Sequence, residues 1–316
     1  MKIYDCFTFY NEYELLELRL ETLYSVVDYF VICELDVKQN GEKKTYYFEK
    51  EKDRFKKYSD KIIHLKESDA PTLKGKQIKK TSDDTMDGDW SIENYQRNCI
   101  IHGLMNCRPD DLIMISDLDE IPNPKIIENL WEQKVYTYPL KLFEIKKWFR
   151  ALSYIILYSK NISFLKKIMM NNVFVKDIIA EMPIALQMDI YYYFINCRSR
   201  GKWNRPIIGL YKNISMPQVM RNIADKAPYI KNGGWHFSYM GGIEKIKQKL
   251  SSIIEGNAQL ASDENFLINC IKNGRDIYGR KGNEFIYEFV PIDSLDVPNL
   301  KSFIEKYPQF LWEDNG

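Results

Sequence analysis

The 316-residue sequence has almost no net charge, with 45 Lys and Arg against 44 Asp and Glu, a formal +1. A generic polyanion binder needs a basic surface to displace counterions, so this balance argues against one, though it allows a local basic patch. No C-x-x-C pair occurs among Cys6, Cys33, Cys99, Cys107, Cys197 and Cys270. Cys6 and Cys33 lie in apolar runs, and the set reads as free thiols of a reducing compartment, which points to a cytoplasmic location. No run of about 18 uncharged apolar residues is present, so no spanning helix is expected. The start, MKIYDCFTFYNE, lacks the long apolar stretch and small-residue cleavage site of a secretory signal. Internal repeats and low-complexity tracts are absent.

What is present is enough apolar material, 45% of residues, to bury a full core. The length allows two domains or one large α/β domain. Aromatics make up 14%, including 22 Tyr and 6 Trp, which suits core packing and also suits sugar rings. KIYDCFTFY (2–10) reads as a buried strand, a helix with leucines at helical spacing runs to about Val27, and YFVICE (29–34) is a second buried strand. Strand, helix, strand with short connections opens a parallel sheet with right-handed crossovers. KIIHL (61–65) and LIMIS (112–116) are two more strands. Residues 66–92 are polar and turn-rich and read as a mobile loop, followed by a helix from about Ile92 to Asn106. Asn123-Pro124 opens another helix, with proline in its favoured first position. Further strands are expected at 185–196, 207–211 and 233–242, and helices over 243–272.

The most informative pattern is Asp117-Leu118-Asp119-Glu120, placed where an apolar strand ends. In open parallel sheets ligands bind outside the carboxyl ends of the strands. Alternation along an extended chain sends Asp117 and Asp119 the same way and Leu118 into the core. Two adjacent carboxylates repel and favour a cation, and hard oxygen ligands suit Mg²⁺ or Mn²⁺. Such an ion would neutralise a diphosphate on a departing nucleotide. The plain alternative is a solvated, helix-capping turn. A metal-dependent phosphohydrolase also uses D-x-D after a strand, but here Glu120-Ile121-Pro122 follows where that chemistry uses small residues. A third reading is a catalytically inactive sugar- or nucleotide-binding module. Upstream, Trp90, Glu93, Gln96, Arg97 and Asn98 form W-x-x-E-x-x-Q-R-N, which puts Glu93, Gln96 and Arg97 on one helix face. Arg97 can contact a phosphate or base, or simply pair with Glu93.

Several blocks in one order resemble glycosyltransferase family 17: YDCFTFYNE (4–12), E-L-L-E-x-R-L (14–20), VVDYFVICE (26–34), Q-R-N (96–98), I-S-D-L-D-E-I-P (115–122) and G-G-W-H-F-S-Y-M-G-G (233–242). The resemblance covers about residues 3–135 and 183–290. It implies a GT-A-type nucleotide-sugar fold, α/β with a mostly parallel central sheet flanked by helices, an inverting mechanism, and UDP-GlcNAc or another UDP-sugar as donor to a glycan acceptor. It implies that Asn11, Glu12, Glu34, Arg97 and Asp117 face the nucleotide. Asp119 and Asp117 would serve the metal, completed by His236. Trp235 could stack on a sugar, and Arg280 could reach the diphosphate from a late loop. The acceptor-side base is expected at Glu264 or Asp263, since inverting transfer needs one carboxylate to deprotonate the acceptor hydroxyl; the alternative is that both sit in an exposed first helical turn.

On this reading residues 1–138 form the nucleotide-sugar-binding half, 139–182 a helical insertion, 183–290 the acceptor-side half and 291–316 a helical tail. Within the insertion, residues 141–170 carry seven basic residues against one acidic, with Trp148 and Phe149 on the apolar face. A basic amphipathic helix of this kind can lie on an anionic membrane near a lipid-linked glycan, or pack on the transferase core or a second subunit.

Overall fold

The computed structural model describes residues 1–73, 79–80, 86–87, 89–137, 173–252 and 262–313. In chain order the elements used below are β1 (Ile3–Thr8), α1 (Tyr13–Leu23), β2 (Tyr29–Leu35), β3 (Ile62–Glu67), α2 (Ser91–Cys99), β4 (Leu112–Asp117), β5 (Glu120–Pro122), α3 (Pro124–Glu128), β6 (Ile184–Tyr192), β7 (Cys197–Trp203), β8 (Ile207–Leu210), α4 (Pro217–Ala224), β9 (Tyr229–Ser238), α5 (Ile243–Ser252), α6 (Glu264–Lys272), β10 (Tyr287–Phe289) and α7 (Leu300–Lys306).

Ten strands form one sheet, in the order β10-β7-β6-β8-β4-β1-β2-β3, with β9 joined to β6 and β5. Alternation explains its two cores. Cys6, Val31, Cys33, Ile113 and Ile115 face Cys99, Ile100 and Leu104, while Phe7, Ile32, Leu112 and Met114 pack in the same cluster as the leucines of α1. Both faces are covered, so the central strands read as nearly continuous apolar runs. Asn123 caps α3, its Oδ1 accepting from the Lys125 amide at 3.0 Å, with Pro124 at the first position as the sequence predicts.

The fold is α/β, but the sheet is mixed, which corrects the expectation of a mostly parallel one. The N-terminal strands β3, β2, β1 and β4 pair in parallel. Beyond β4 the pairings with β8, β7 and β10 are antiparallel, and only β6 with β9 is parallel. The reason lies in the connections: helices cross over in the first half, whereas short turns join β6, β7 and β8, and tight turns permit only antiparallel neighbours.

The β4–β8 pairing joins the two halves into one sheet. The C-terminal stretch packs back on it, with Leu300, Phe303 and Phe310 in the core around α1. The basic segment at 141–170 lies outside the described residues. Beyond it, Val173–Phe174 pairs antiparallel with Lys134–Val135. The expected loop at 66–92 holds a small ladder of Lys79–Lys80 on Met86–Asp87. All six cysteines are free, consistent with their reading as thiols. No helix among the described residues is long and apolar enough to cross a membrane.

Candidate active site

A cleft of about 720 Å³ opens at the carboxyl ends of β1 and β4. One wall comes from Thr8–Tyr10, Glu12 and α2. The other comes from β6, β7, β9 and the 280–285 loop. Asp117 closes β4 opposite Thr8 of β1, and the chain then turns through Leu118 and Asp119 into β5. Asp117, Leu118 and Asp119 all line the cleft, with Leu118 almost fully buried; the strand ends at Asp117 and Leu118–Asp119 form a turn, so the expected strand alternation does not extend to Asp119.

The acidic turn is held from beneath by a fully buried arginine. Arg19 of α1 makes a bidentate pair with Asp5, at 2.6 and 2.8 Å. Its remaining donors reach the carbonyls of Asp117 (2.7 Å), Leu118 (3.1 Å) and Glu120 (2.9 Å) and the Ser116 hydroxyl (2.6 Å). A guanidinium offers five N–H groups in a rigid fork, and here every nitrogen is used. Sequence reasoning missed this residue, although a signal exists: Arg19 lies four after Leu15 and four before Leu23, on the face that α1 buries.

Asp117 carries two arginines. Arg97 Nη2 donates to Oδ1 at 2.9 Å and Arg221 Nη2 to Oδ2 at 2.5 Å. Burial alone would raise the Asp117 pKa, but the two guanidinium groups outweigh it and hold the carboxyl far below its usual range. Arg221 also grips Glu120 at 2.6 and 2.7 Å, and Glu120 accepts from the Trp203 indole at 2.5 Å and the Asp117 amide at 2.7 Å. Arg97 pairs with Glu93 at 2.6 Å as well, which is the plainer of its two readings. Its Nε is buried and has no hydrogen-bond partner.

Asp119 is placed differently. Its carbonyl accepts from Phe237 N at 2.7 Å, which fixes the turn to β9. Its Oδ1 lies 3.7 Å from His236 Nε2, and its Oδ2 lies 3.4 Å from the Lys249 ammonium. His236 packs against Trp203, ring centroids 4.6 Å apart. A carboxylate and an imidazole nitrogen therefore converge at the cleft where a lysine already brings positive charge. The pair offers one carboxylate oxygen and one imidazole nitrogen, with the Lys249 ammonium beside the carboxylate's other oxygen. Asp117 does not add to it, because both its oxygens are engaged by guanidinium groups.

The other predicted residues divide. Glu12, Arg97 and Arg280 line the cleft. Arg280 leans over Phe285, 4.3 Å from the ring, and is tied to Asp276 at 2.7 Å. Asn11 lines a smaller adjoining recess with Tyr10, Glu12 and Lys249. Glu34 is fully buried and does not reach the cleft. It binds Lys44 at 2.8 Å and the Phe48 amide at 3.1 Å, and Lys44 lines the cleft in its place. Trp235 points to the opposite face from His236 and packs in the core; the aromatics lining the cleft include Trp203, Trp90 and Tyr192 instead. Asp263 caps α6, accepting from the Phe266 amide at 2.9 Å, and Glu264 pairs with Lys247. Neither lines the cleft. Arg221, Lys249 and Trp203 escaped sequence reasoning because their partners lie far away along the chain, 104 residues in the case of Arg221 and Asp117.

A family model described as Glycosyltransferase family 17 matches residues 1–175. Curated relatives include the beta-1,4-mannosyl-glycoprotein 4-beta-N-acetylglucosaminyltransferases of Homo sapiens and Rattus norvegicus, each 31% identical over 118 residues, which is 35% of this chain and 20% of the relative. The Mus musculus protein of that name is 30% identical over the same length. The match thus spans about a fifth of the length of these relatives. The family match extends over more than half of the chain and carries the Asp117–Glu120 turn, its Arg19 support and Arg97; the chain belongs to glycosyltransferase family 17.

Proposed function

We propose that this chain transfers a sugar, N-acetylglucosamine in the first instance, from a UDP-sugar to a glycan acceptor with inversion at the anomeric carbon, on a GT-A-type fold. The observation that carries this reading is the pairing of Asp119 with His236 at the carboxyl rim of the sheet, inside a cleft lined by Arg97, Arg221, Lys249 and Arg280. The relatives' names point to N-acetylglucosamine as the transferred sugar and a mannosyl glycoprotein as acceptor.

Asp119 and His236 would hold Mn²⁺ or Mg²⁺, and such an ion screens the charge that gathers on a departing diphosphate. Asp117 acts differently. Kept ionised, it anchors Arg97 and Arg221 at the cleft floor. Glu12 and Arg97 face the nucleotide from the β1 side. Lys249 and Arg280 add positive charge from the other wall.

Transfer also needs a base on the acceptor side. Glu284 lines that wall on a backbone fixed by the Ser199 hydroxyl, which donates to its carbonyl at 2.9 Å, and by close contact with Gly201. In the proposed step the acceptor O–H proton passes to the Glu284 carboxylate as the acceptor oxygen bonds to the anomeric carbon. The bond from that carbon to the phosphate oxygen breaks, and its electron pair leaves with UDP.

The test is UDP release from UDP-GlcNAc in the presence of Mn²⁺, with and without mannose-containing acceptor glycans, alongside calorimetric UDP binding. Asp119→Asn is expected to lose Mn²⁺-assisted UDP binding. Glu284→Gln is expected to keep it while turnover falls by about 10²- to 10⁴-fold, the usual range for a general base. A wild-type chain that binds UDP no better with Mn²⁺ than without would defeat the metal-assisted reading; Glu284→Gln at full turnover would remove that residue from the mechanism.

A further inference from the structure

A second group of metal-ligating side chains lies outside the cleft. Cys99 ends α2, and His102 follows one turn later in the 3₁₀ helix Ile100–Leu104. The spacing C-I-I-H puts thiol and imidazole on one face of a helical turn. Glu67, the last residue of edge strand β3, meets them there. The Cys99 sulfur, a Glu67 oxygen and a His102 ring nitrogen all lie within 4.8 Å of one another. Glu67 Oε1 and His102 Nδ1 are 2.8 Å apart.

The proposed reaction uses none of these groups, since α2 turns Glu93, Gln96 and Arg97 to the cleft instead. A Glu–His pair alone would account for two of the three. It leaves out the buried Cys99 thiol, which also meets the Tyr95 hydroxyl. A dication would displace the thiol proton and then be balanced by the thiolate together with the Glu67 carboxylate. The His102 side chain is 53% exposed, so the group has an open mouth to solvent.

We propose that Glu67, Cys99 and His102 form a site for a zinc-class ion. A thiolate and an imidazole are the ligands that favour Zn²⁺ over Mg²⁺ or Ca²⁺, and one carboxylate completes a three-residue set that leaves a fourth position for water. On binding, the Cys99 thiol gives its proton to solvent. Thiolate and carboxylate then balance the charge of the ion, with His102 neutral. The ion would tie the end of α2 to the end of β3. The same helix holds Gln96, whose amide donates to the carbonyls of Phe9 (3.1 Å) and Cys33 (2.9 Å), and Arg97 at the cleft. The site is therefore structural, and it is independent of the sugar-transfer reading.

Cobalt titration of the purified full-length chain tests it, because a thiolate bound to Co²⁺ gives a near-ultraviolet charge-transfer band. The expected result is a band that saturates at one Co²⁺ per chain and is displaced by Zn²⁺. Cys99→Ser should abolish it. His102→Ala, at a half-exposed position where folding is not at stake, should weaken Co²⁺ binding or abolish the band. Cys33→Ser, at a neighbouring buried thiol, should retain it, as should Asp119→Asn, which separates this site from the cleft. No band in the wild-type chain, or a band that survives Cys99→Ser, would overturn the proposal.

Discussion

Arg19 shows what one side chain decides in this protein. It neutralises Asp5 at zero exposure and satisfies three carbonyls of the turn that carries Asp119. Breaking a buried pair by removing one partner leaves an uncompensated charge, at a cost of about 3–5 kcal/mol. Arg19→Met should therefore lower the unfolding free energy by about that amount, read as a shift in urea midpoint at unchanged slope. Arg19→Lys should recover little of it, because an ammonium has three donors and no fork. A loss under about 1 kcal/mol for Arg19→Met would place the pair among those that hardly contribute, and would mean that the turn is held by its own backbone. The same residue marks a limit of sequence reading. The spacing of Asp117 and Asp119 is visible in four letters, but the strand ends at Asp117, and the turn at Leu118–Asp119 leaves no alternation to aim the second carboxylate. That Asp117 is consumed by arginines while Asp119 stays with His236 depends on Arg221 and β9, more than a hundred residues downstream.

At the scale of elements, sequence reading found the strands in which β-branched and aromatic residues run together, β1, β2, β4, β6 and β8, and also the partly buried edge strand β3 and the glycine-framed β9. It missed β7, CRSRGKW, because its burial alternates and its letters are mostly polar. It also missed the mixed sheet, since strand direction follows from connections between segments and leaves no local mark. The glycine frame of β9 was visible, and its physical reason now is too. Gly234 has φ +150°, and a Cβ there would stand 2.1 Å from the Ile121 carbonyl. The contact lies where β9 pairs with β5, two residues before His236. Gly234→Ala should push the two strands apart and displace His236 from Asp119, lowering both the melting temperature and Mn²⁺ affinity. Gly279→Ala is the control, with a similarly unfavourable φ of +66° but nothing within 4 Å of the added carbon. It should cost only the backbone term of about 1–2 kcal/mol and leave Mn²⁺ affinity alone. Equal Mn²⁺ affinity in Gly234→Ala and wild type would show that β9 does not set the histidine's position.

Across the whole molecule, the cleft is a seam. Its floor comes from β1, β4 and α2, and its far wall from β6, β7, β9 and the 280–285 loop, all joined in one sheet through β4 and β8. The C-terminal segment fastens the first part again, with Tyr307 donating to Glu17 of α1 at 2.8 Å and Phe310 packed into the core. A ligand that touches both walls should therefore stabilise the whole chain. Binding to the folded state alone adds about 2.7 kcal/mol at a ligand concentration one hundred times Kd, enough to raise the melting temperature of a chain this size by about 4 °C or more. UDP with Mn²⁺ is expected to produce that shift, in a single transition. Chelating the metal should remove most of the UDP-dependent increment, because Asp119 and His236 act on the diphosphate only through the ion. Asp119→Asn should behave in UDP as the chelated wild type does. If UDP stabilised the chelated protein as much as the Mn²⁺-loaded one, Lys249 and the arginines would be sufficient cations for the diphosphate, and the role given to Asp119 and His236 would have to be withdrawn.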